Sequence, residues 1–218
     1  MVIDPSLRAV MFDMDGVIVD SERLHLQAST EVFRQHGIHV DSDVFITLAF
    51  GRRAVDGYRS IIERYGKGTE DVEGIAREKR DRYLELAESS LELVPNFFAF
   101  VEYCRKRSWR IALVTSGMPD AQNPILDRFG LRDMFDVSVM GDEVKNGKPD
   151  PEPYLLAMSR LGLEPSSCLV VEDAVSGIEA AKAAGCIAVG LATMLSPERL
   201  LNAGADLAVA SFSELMTV

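Results

Sequence analysis

The sequence lacks the features that would place it in a membrane or on a nucleic acid. It has no run of about eighteen apolar residues, so no membrane-spanning helix is predicted. Its 23 lysine and arginine residues stand against 34 acidic ones, and the formal net charge of -11 at pH 7 argues against nucleic acids and anionic membranes as partners. The opening MVIDPSLRAV has neither a basic segment nor a long apolar one. We therefore expect a soluble, cytoplasmic protein that is a monomer.

Cysteine is scarce as well. Cys104, Cys168 and Cys186 are odd in number, far apart and without C-x-x-C spacing, so neither a disulfide framework nor a zinc site is predicted. His36 and His39 form an H-x-x-H pair, but no second pair of ligands accompanies them, which favours a solvated helix over a zinc site. With 218 residues, 47% of them hydrophobic, the chain can still bury a full core and carry a sizeable insert.

An acidic motif follows the first apolar run of the chain. Ala9–Phe12 predicts a buried parallel strand, and DMDG follows it directly. Side chains alternate along a strand, so Asp13 and Asp15 leave it on one side, and Gly16 lets the backbone turn away. Two such carboxylates repel each other unless a cation lies between them or one is protonated. By itself, however, this motif is also an ordinary end of a strand.

The rest of the chain separates into a helical part and an alternating part. Helices are predicted over Glu22–Gln35, Val44–Ala49, Arg52–Tyr65 and from a cap at Thr69 to about Glu88. Further strands are predicted over Ile111–Thr115, Val137–Met140, Leu169–Glu172, Ile187–Leu191 and Leu207–Ala210. Helices between these strands are marked by Asp150-Pro151, Gly162, Gly185 and Ser196-Pro197. The pattern predicts an α/β fold, a doubly wound parallel sheet formed by residues 1–20 and 95–218, with an all-helical domain inserted at 21–94.

Reactive groups stand near several of the predicted strand ends. They are Asp13 and Asp15, Thr115-Ser116-Gly117, Lys148 before a helix, and Glu172-Asp173. Each is unremarkable alone, but the carboxyl ends of parallel strands meet at one edge of a sheet. Four carboxylates, a hydroxyl and a lysine at that edge predict a site for a divalent cation and a phosphate.

Four segments resemble the motifs of the haloacid dehalogenase superfamily, in the branch of β-phosphoglucomutase and small-molecule phosphatases. They are DMDGVIVDS, VTSG around Thr115, NGKPDPEPY with Lys148, and VVEDAVSGIEAAKAAG, in the family's order and over nearly the whole chain. The resemblance implies that Asp13 is a nucleophile that becomes an aspartyl phosphate and that Asp15 is the acid/base. It also implies that Thr115 and Lys148 hold the transferring phosphoryl group.

The resemblance further implies a magnesium ion and a cap. The implied ligands are Asp13, the backbone carbonyl of Asp15 and Asp173, with Glu172 beside them, and residues 21–94 match the family's mobile helical cap. Phosphoryl transfer requires a nucleophile, neutralised oxygens and a proton for the leaving group in any case. The namesake dehalogenases use no metal, so Asp15 and the pair Glu172-Asp173 favour phosphorus over carbon–halogen chemistry.

The glycine loop of the implied cap departs from the family's mutases. Those mutases have a lysine before the glycine and an arginine three residues after it, whereas the positions around Gly51 hold Phe50 and Ala54 here. In the mutases those two residues hold the second phosphate of the substrate. Arg52 and Arg53 could take over that role here, although solvated arginines at the start of a helix are equally consistent with the pattern.

Other departures concern the substrate. The mutases' second serine after the threonine motif is Gly117 here, whereas His25 matches a histidine of the family's first cap helix. Substrate contacts are predicted at Ser116, Gly117, His25, Gly51, Arg52 and Arg53. We predict a magnesium-dependent phosphatase of a small phosphorylated metabolite. A sugar phosphomutase and a non-enzymatic, receiver-like phospho-acceptor are the alternatives, and the substrate stays open among sugar phosphates, nucleotides, phosphoglycolate and pyrophosphate.

Overall fold

The computed structural model of the chain describes residues 6–217, which contain one parallel sheet of six strands. The strands are β1 (Ala9–Phe12), β2 (Arg110–Val114), β3 (Val137–Val139), β4 (Cys168–Glu172), β5 (Ile187–Leu191) and β6 (Leu207–Val209). Their spatial order is β3-β2-β1-β4-β5-β6, so the chain runs outward from β1 in both directions. This is the doubly wound parallel sheet that the sequence predicts.

Ten α-helices accompany the sheet within the described residues. They are α1 (Glu22–Gln35), α2 (Ser42–Leu48), α3 (Ala54–Tyr65), α4 (Val72–Ser90), α5 (Phe97–Lys106), α6 (Pro119–Arg128), α7 (Glu152–Leu161), α8 (Val175–Ala183), α9 (Pro197–Asn202) and α10 (Phe212–Leu215). The first four lie between β1 and α5 and are called the helical insert below. None of the helices in residues 6–217 is both long and apolar enough to cross a membrane.

The predicted helix starts are correct to within a few residues, with one wrong cap. Thr69 does not cap α4, because Asp71 does so by accepting a hydrogen bond from the amide of Gly74 at 2.9 Å. Asp150 accepts from the amide of Glu152 at 2.9 Å, so it stabilises the start of α7 as expected, although the helix begins one residue later than predicted.

The side chains of β1 alternate between two hydrophobic clusters on the two faces of the sheet. Val10 and Phe12 belong to one cluster, and Ala9 and Met11 to the other. All four are buried, as expected for a strand in the middle of a parallel sheet with helices on both faces. β1 therefore holds the residues that follow it in a fixed position at the centre of the molecule.

The helical insert has a third hydrophobic cluster of its own. The ring of Phe33 packs edge-on against Phe45 at 5.2 Å and Tyr58 at 4.9 Å between centroids. Tyr83 and Ala87 of α4 instead belong to the cluster that contains Val10 and Phe12 of β1. The separate cluster supports the predicted division into a core and an inserted domain at 21–94, which stays a proposal.

Candidate active site

The predicted site residues converge at the carboxyl ends of β1, β2 and β4. Asp13 follows β1, Thr115 follows β2, and Glu172 ends β4. β1 pairs with both β2 and β4, so these three ends are adjacent. Adjacent parallel strands present their carboxyl ends at one edge of the sheet, which is why residues far apart in sequence meet here.

Lys148 joins all three of these strand ends. Its Nζ donates to Asp13 Oδ1 and to Glu172 Oε1, each at 2.6 Å, and to the backbone oxygen of Val114 at 2.9 Å. The side chain is 1% exposed, so all three of its donors are used inside the protein. Burial opposes the charged form, but the charges of Asp13 and Glu172 outweigh that effect and raise the pKa of Lys148 above its usual range.

Asp13, Glu172 and Asp173 form a compact carboxylate group. One oxygen of each lies within 4.8 Å of the others, and all three residues are buried. Burial raises the pKa of Asp13 to about 8, with the charges of Glu172 and Asp15 adding to the effect of burial against the pull of Lys148. Burial and the neighbouring acids also raise the pKa of Asp173 well above its usual range. One ammonium therefore does not neutralise this group.

Glu172 shows that the group fits a cation. Its Oε1 accepts from Lys148 and, at 2.5 Å, from the hydroxyl of Tyr154, whereas its buried Oε2 has no hydrogen-bond partner within residues 6–217. Buried polar atoms normally have a partner, and carboxylate oxygens are the ligands that magnesium prefers. Three hard oxygen ligands with an unsatisfied atom and excess negative charge suit a divalent cation.

Two glycines make room for the carboxylates. A β-carbon on Gly16 would overlap the carboxylate of Asp173, and one on Gly177 would overlap that of Glu172. Gly16 also has a φ of 72°, in the left-handed region that favours glycine. These glycines are needed because the carboxylates approach the backbone too closely for any side chain.

The carboxylate of Asp15 does not join this group, so the predicted convergence of four carboxylates is corrected to three. Asp15 Oδ1 accepts from Ser21 Oγ at 2.6 Å and from His25 Nε2 at 2.9 Å, and Oδ2 accepts from Gln122 Nε2 at 2.9 Å. Burial alone would raise the pKa of Asp15, but the interactions with His25, Ser21 and Gln122 outweigh it and hold the pKa well below its usual range. The predicted role of the Asp15 backbone carbonyl as a ligand stays a prediction.

His25 is held in one tautomer. Its Nδ1 lies 2.6 Å from Lys79 Nζ, and its ring stacks on Tyr83 with centroids 3.8 Å apart. Burial and the charge of Lys79 lower the pKa of His25, so the neutral ring accepts from Lys79 at Nδ1 and donates to Asp15 from Nε2. Burial lowers the pKa of Lys79 to about 8.

The Thr115-Ser116-Gly117 turn has one of its backbone amides bonded within the turn itself. The Oγ1 of Thr115 accepts from the amide of Gly117 at 3.0 Å, so that amide is already engaged. Ser116 Oγ turns toward the helical insert and donates to the backbone oxygen of Gly51 at 2.9 Å. Two predicted substrate residues, Ser116 and Gly51, therefore contact each other at the edge of the site.

The two arginines after Gly51 have different surroundings. Arg53 donates to the backbone oxygens of Val144 at 3.2 Å and Lys145 at 3.1 Å, and its Nε is 2.7 Å from Asp56. Arg53 therefore ties the helical insert to the loop before Lys148. Arg52 lines the cavity, and no other side chain or carbonyl of residues 6–217 pairs with its guanidinium.

A cavity of about 820 Å³ lies over these groups. The core contributes Asp13, Asp15 and Thr115 to its wall, and the insert contributes Glu22, Arg52 and Lys79. The volume is typical of a site for a small molecule. Of the residues that line or hold this site, sequence reasoning missed Ser21, Glu22, Lys79, Gln122 and Tyr154. Ser21 and Tyr154 lie in the quoted motifs, and Lys79 interrupts the apolar face that Ile75 and Tyr83 share on α4. No sequence signal pointed to Glu22 or Gln122.

Comparisons with known proteins agree with this geometry. The sequence model of the haloacid dehalogenase-like hydrolase family matches residues 7–185 of this chain. The phosphorylated carbohydrates phosphatase of Thermotoga maritima is 33% identical over 212 residues, covering 90% of this chain and 97% of its own. The fructose-1-phosphate phosphatase of Escherichia coli K12 is 35% identical over 180 residues, covering 83% and 94%. The crystal structure of β-phosphoglucomutase from Clostridium difficile superposes with a TM-score of 0.84 at 27% identity, covering 96% and 93%.

Proposed function

The chain belongs to the haloacid dehalogenase-like hydrolases and is a phosphatase of that family, and we propose that it hydrolyses small phosphorylated sugars through a covalent intermediate on Asp13. The observation that carries the proposal is the position of Asp13. Its carboxylate is buried at the floor of the cavity, 2.6 Å from the ammonium of Lys148 and two residues before Asp15. A nucleophile, a cation and an acid/base thus converge where a phosphate would enter.

In the first half of the reaction, a carboxylate oxygen of Asp13 attacks phosphorus while the bond between phosphorus and the sugar oxygen breaks. The hydroxyl of Thr115, which lines the cavity, is placed to donate to a non-bridging oxygen, and Lys148 would do the same by exchanging one of its three present acceptors for the phosphate. The non-bridging oxygens keep their negative charge. Asp13, Glu172 and Asp173 are the residues that would hold a magnesium ion, which when bound neutralises further charge on those oxygens.

Asp15 transfers a proton in both halves of the reaction. As the acid it gives its proton to the departing sugar oxygen, which leaves as an alcohol. As the base it then takes a proton from water, whose oxygen attacks the phosphorus of the aspartyl phosphate. Inorganic phosphate leaves, the Asp13 carboxylate is restored, and Asp15 is protonated for the next cycle. The hydrogen bonds from Ser21, His25 and Gln122 fix the orientation of the carboxylate, and because they stabilise its charged form they favour the step in which Asp15 acts as the base. The acid step requires that the negative charge of the bound phosphate raise the pKa of Asp15.

The helical insert is proposed to act as the cap over this chemistry. Its loop at Gly51 reaches the strand ends, and the insert contributes Glu22, Arg52 and Lys79 to the wall of the cavity. Carboxylate, guanidinium and ammonium groups can all hydrogen-bond sugar hydroxyls. The two relatives named for carbohydrate substrates support a sugar phosphate over the nucleotide, phosphoglycolate and pyrophosphate that the sequence leaves open.

A sugar phosphomutase is the second candidate, favoured by the structural likeness to β-phosphoglucomutase. A mutase must retain a bisphosphate while it turns over, which requires a second cationic clamp in the cap. Arg53 is engaged by the core loop, so Arg52 is the one arginine of that pair left to act as such a clamp. Arg52 therefore has no second arginine of its own loop beside it, which favours release of the dephosphorylated product, and therefore hydrolysis.

The test is phosphorus NMR of the reaction with a hexose 1-phosphate and catalytic hexose bisphosphate, together with a panel of sugar phosphates, nucleotides, phosphoglycolate and pyrophosphate. We expect inorganic phosphate as the product and the fastest release from a sugar phosphate. Accumulation of the 6-phosphate isomer faster than free phosphate would identify a mutase and assign the second clamp to Arg52. A phosphoenzyme that forms with no turnover of any substrate would indicate a receiver-like phospho-acceptor.

A further inference from the structure

Gln122 is a buried polar residue beside the reacting groups that the mechanism above uses only as a hydrogen-bond donor. It lies on α6, 1% exposed, with Nε2 donating to Asp15 Oδ2 at 2.9 Å. Its other amide atom, Oε1, is buried and meets no donor in the described part of the chain. A buried acceptor without a donor is unfavourable, so its retention calls for an explanation.

The three donors on Asp15 divide unequally between its two oxygens. Ser21 and His25 both donate to Oδ1, whereas Gln122 supplies the hydrogen bond to Oδ2. The two donors on Oδ1 lie on α1 or at its start, and Gln122 lies on α6 of the core. A carboxylate held at Oδ1 alone can pivot about that oxygen, and the contact from the other side prevents the pivot.

Gly117 is shaped to admit this side chain. A β-carbon on Gly117 would overlap the amide of Gln122, and the φ of Gly117 lies outside the left-handed region, so space rather than backbone conformation accounts for the glycine. The amide therefore occupies a place that the turn after β2 leaves open for it. Pro119 at the start of α6 fixes where the helix begins, and with it the direction of Gln122.

We propose that Gln122 is a positioning residue that holds Asp15 through both halves of the reaction. Gln122 donates from Nε2 to Oδ2, the oxygen that Ser21 and His25 leave open, and so fixes the direction of the carboxylate toward the leaving oxygen. The amide is retained although Oε1 has no donor in the described part of the chain, because a donor is needed at Oδ2 from the side of α6.

The inference rests on the proposed role of Asp15, and its test uses the leaving group. An alkyl phosphate such as fructose 1-phosphate expels an alkoxide that needs the proton from Asp15, whereas p-nitrophenyl phosphate expels a stable phenolate that does not. A loss of packing around Gln122 would lower the rates of both substrates by similar factors. A loss of positioning lowers the alkyl rate selectively.

The experiment compares kcat/KM for the two substrates in the wild type, Gln122→Met, Gly117→Ala, Asp15→Asn and the Asp15→Asn/Gln122→Met double variant. Gln122→Met keeps the length of the side chain and removes both polar atoms, and Gly117→Ala displaces the amide without changing it. We expect the ratio of alkyl to aryl activity to fall by at least about tenfold in both variants, part of the 10²–10⁴ that a general acid contributes. In the double variant the ratio should equal that of Asp15→Asn alone.

Asn123→Ala is the matched control, since Asn123 is next to Gln122 on α6 but contacts Arg132. Its ratio should equal the wild type's. Equal losses on both substrates in Gln122→Met and Gly117→Ala, or additive losses in the double variant, would overturn the positioning role while leaving the phosphatase proposal intact. An unchanged ratio in Asp15→Asn would instead overturn the role of Asp15 and the inference with it.

Discussion

At the scale of single residues, the site holds several like charges together by sharing one lysine among them. Lys148 contacts Asp13 and Glu172, yet Asp173 adds a third carboxylate to the same group. The raised pKa of Asp13, about 8, follows from burial and from this imbalance. Removing one negative charge from the group should therefore relieve repulsion in the metal-free protein.

We predict that Asp13→Asn abolishes turnover and leaves the metal-free protein at least as stable as the wild type. The amide has nearly the same shape and can still accept from Lys148, but it cannot form a phosphoenzyme. Steady-state assays test the loss of turnover, and thermal unfolding in a chelator tests the stability. A variant that keeps a tenth of the wild-type rate, a loss of only about 1.4 kcal/mol in barrier, would point to direct attack by water.

A second residue-scale prediction concerns Tyr154, which donates to Glu172 Oε1 at 2.5 Å. Tyr154→Phe should weaken magnesium binding by roughly 10- to 100-fold, because the groups that orient a ligand affect affinity by that amount. Magnesium titrations of activity and calorimetry measure the effect. Tyr103→Phe is the control, since Tyr103 stacks on Phe100 away from the site. An unchanged magnesium affinity in Tyr154→Phe would remove Glu172 from the proposed ligands.

At the scale of elements, the helical insert contacts the core through α1, through a short loop and through the long helix α4. Ser116 donates to the backbone of Gly51, and Ser176 donates to that of Phe50 at 3.0 Å. On α4, Arg80 pairs with Asp120 at the start of α6. The loop between α2 and α3 therefore lies directly against the strand ends that form the candidate site, and its conformation decides how closely the insert approaches the core.

Gly51 and Gly68 offer a matched pair for testing that contact. Both have positive φ, 71° and 74°, but a β-carbon on Gly51 would overlap Ala174 and Ser176, whereas one on Gly68 meets nothing within 4 Å. Alanine at either position should cost about 1–2 kcal/mol of backbone strain. We predict that Gly51→Ala additionally lowers kcat/KM by between about tenfold and 100-fold through misplacement of the insert, and that Gly68→Ala does not.

Thermal unfolding and steady-state kinetics of the two variants separate strain from misplacement. Equal kinetic parameters in Gly51→Ala and Gly68→Ala would show that the loop contact has no part in turnover.

At the scale of the whole molecule, we expect the carboxylate group to make stability and activity depend on a cation and on pH. The folded protein binds protons on Asp13 up to about pH 8, whereas an unfolded aspartate loses its proton near 3.8. The native state then binds more protons than the unfolded state between those values, so the free energy of unfolding of the metal-free protein should fall as pH rises from about 4 to 8.

We predict that magnesium abolishes much of this decline and that a chelator abolishes activity. A ligand that binds only the native state at 100 times its Kd adds about 2.7 kcal/mol, and the gain should be larger at pH 8 than at pH 5, where protons compete for the carboxylates. Denaturant unfolding with magnesium or with chelator at the two pH values tests the stability, and an assay in chelator tests the activity. Full turnover in excess chelator would contradict the metal assignment.

Much of the fold could be predicted from local patterns because those patterns are set within a few residues. The boundaries of α1 and β5 are as predicted, since amphipathic periodicity and a short apolar run determine each one locally. The cap of α4 was misplaced because Thr69 and Asp71 are both good capping residues, and only the observed hydrogen bond to Gly74 distinguishes them. The cytoplasmic location and the monomeric state stay predictions.

The sequence by itself determined the doubly wound order of elements and the meeting of Asp13, Thr115, Lys148, Glu172 and Asp173, since motifs at the ends of parallel strands must share one edge. Only the tertiary structure decided which groups face each motif. The carboxylate of Asp15 contacts Gln122 rather than the other acids. Arg53 donates to a loop of the core, whereas Arg52 lines the cavity. Such contacts join helices distant in sequence, and their partners are chosen by packing geometry, which no local pattern encodes.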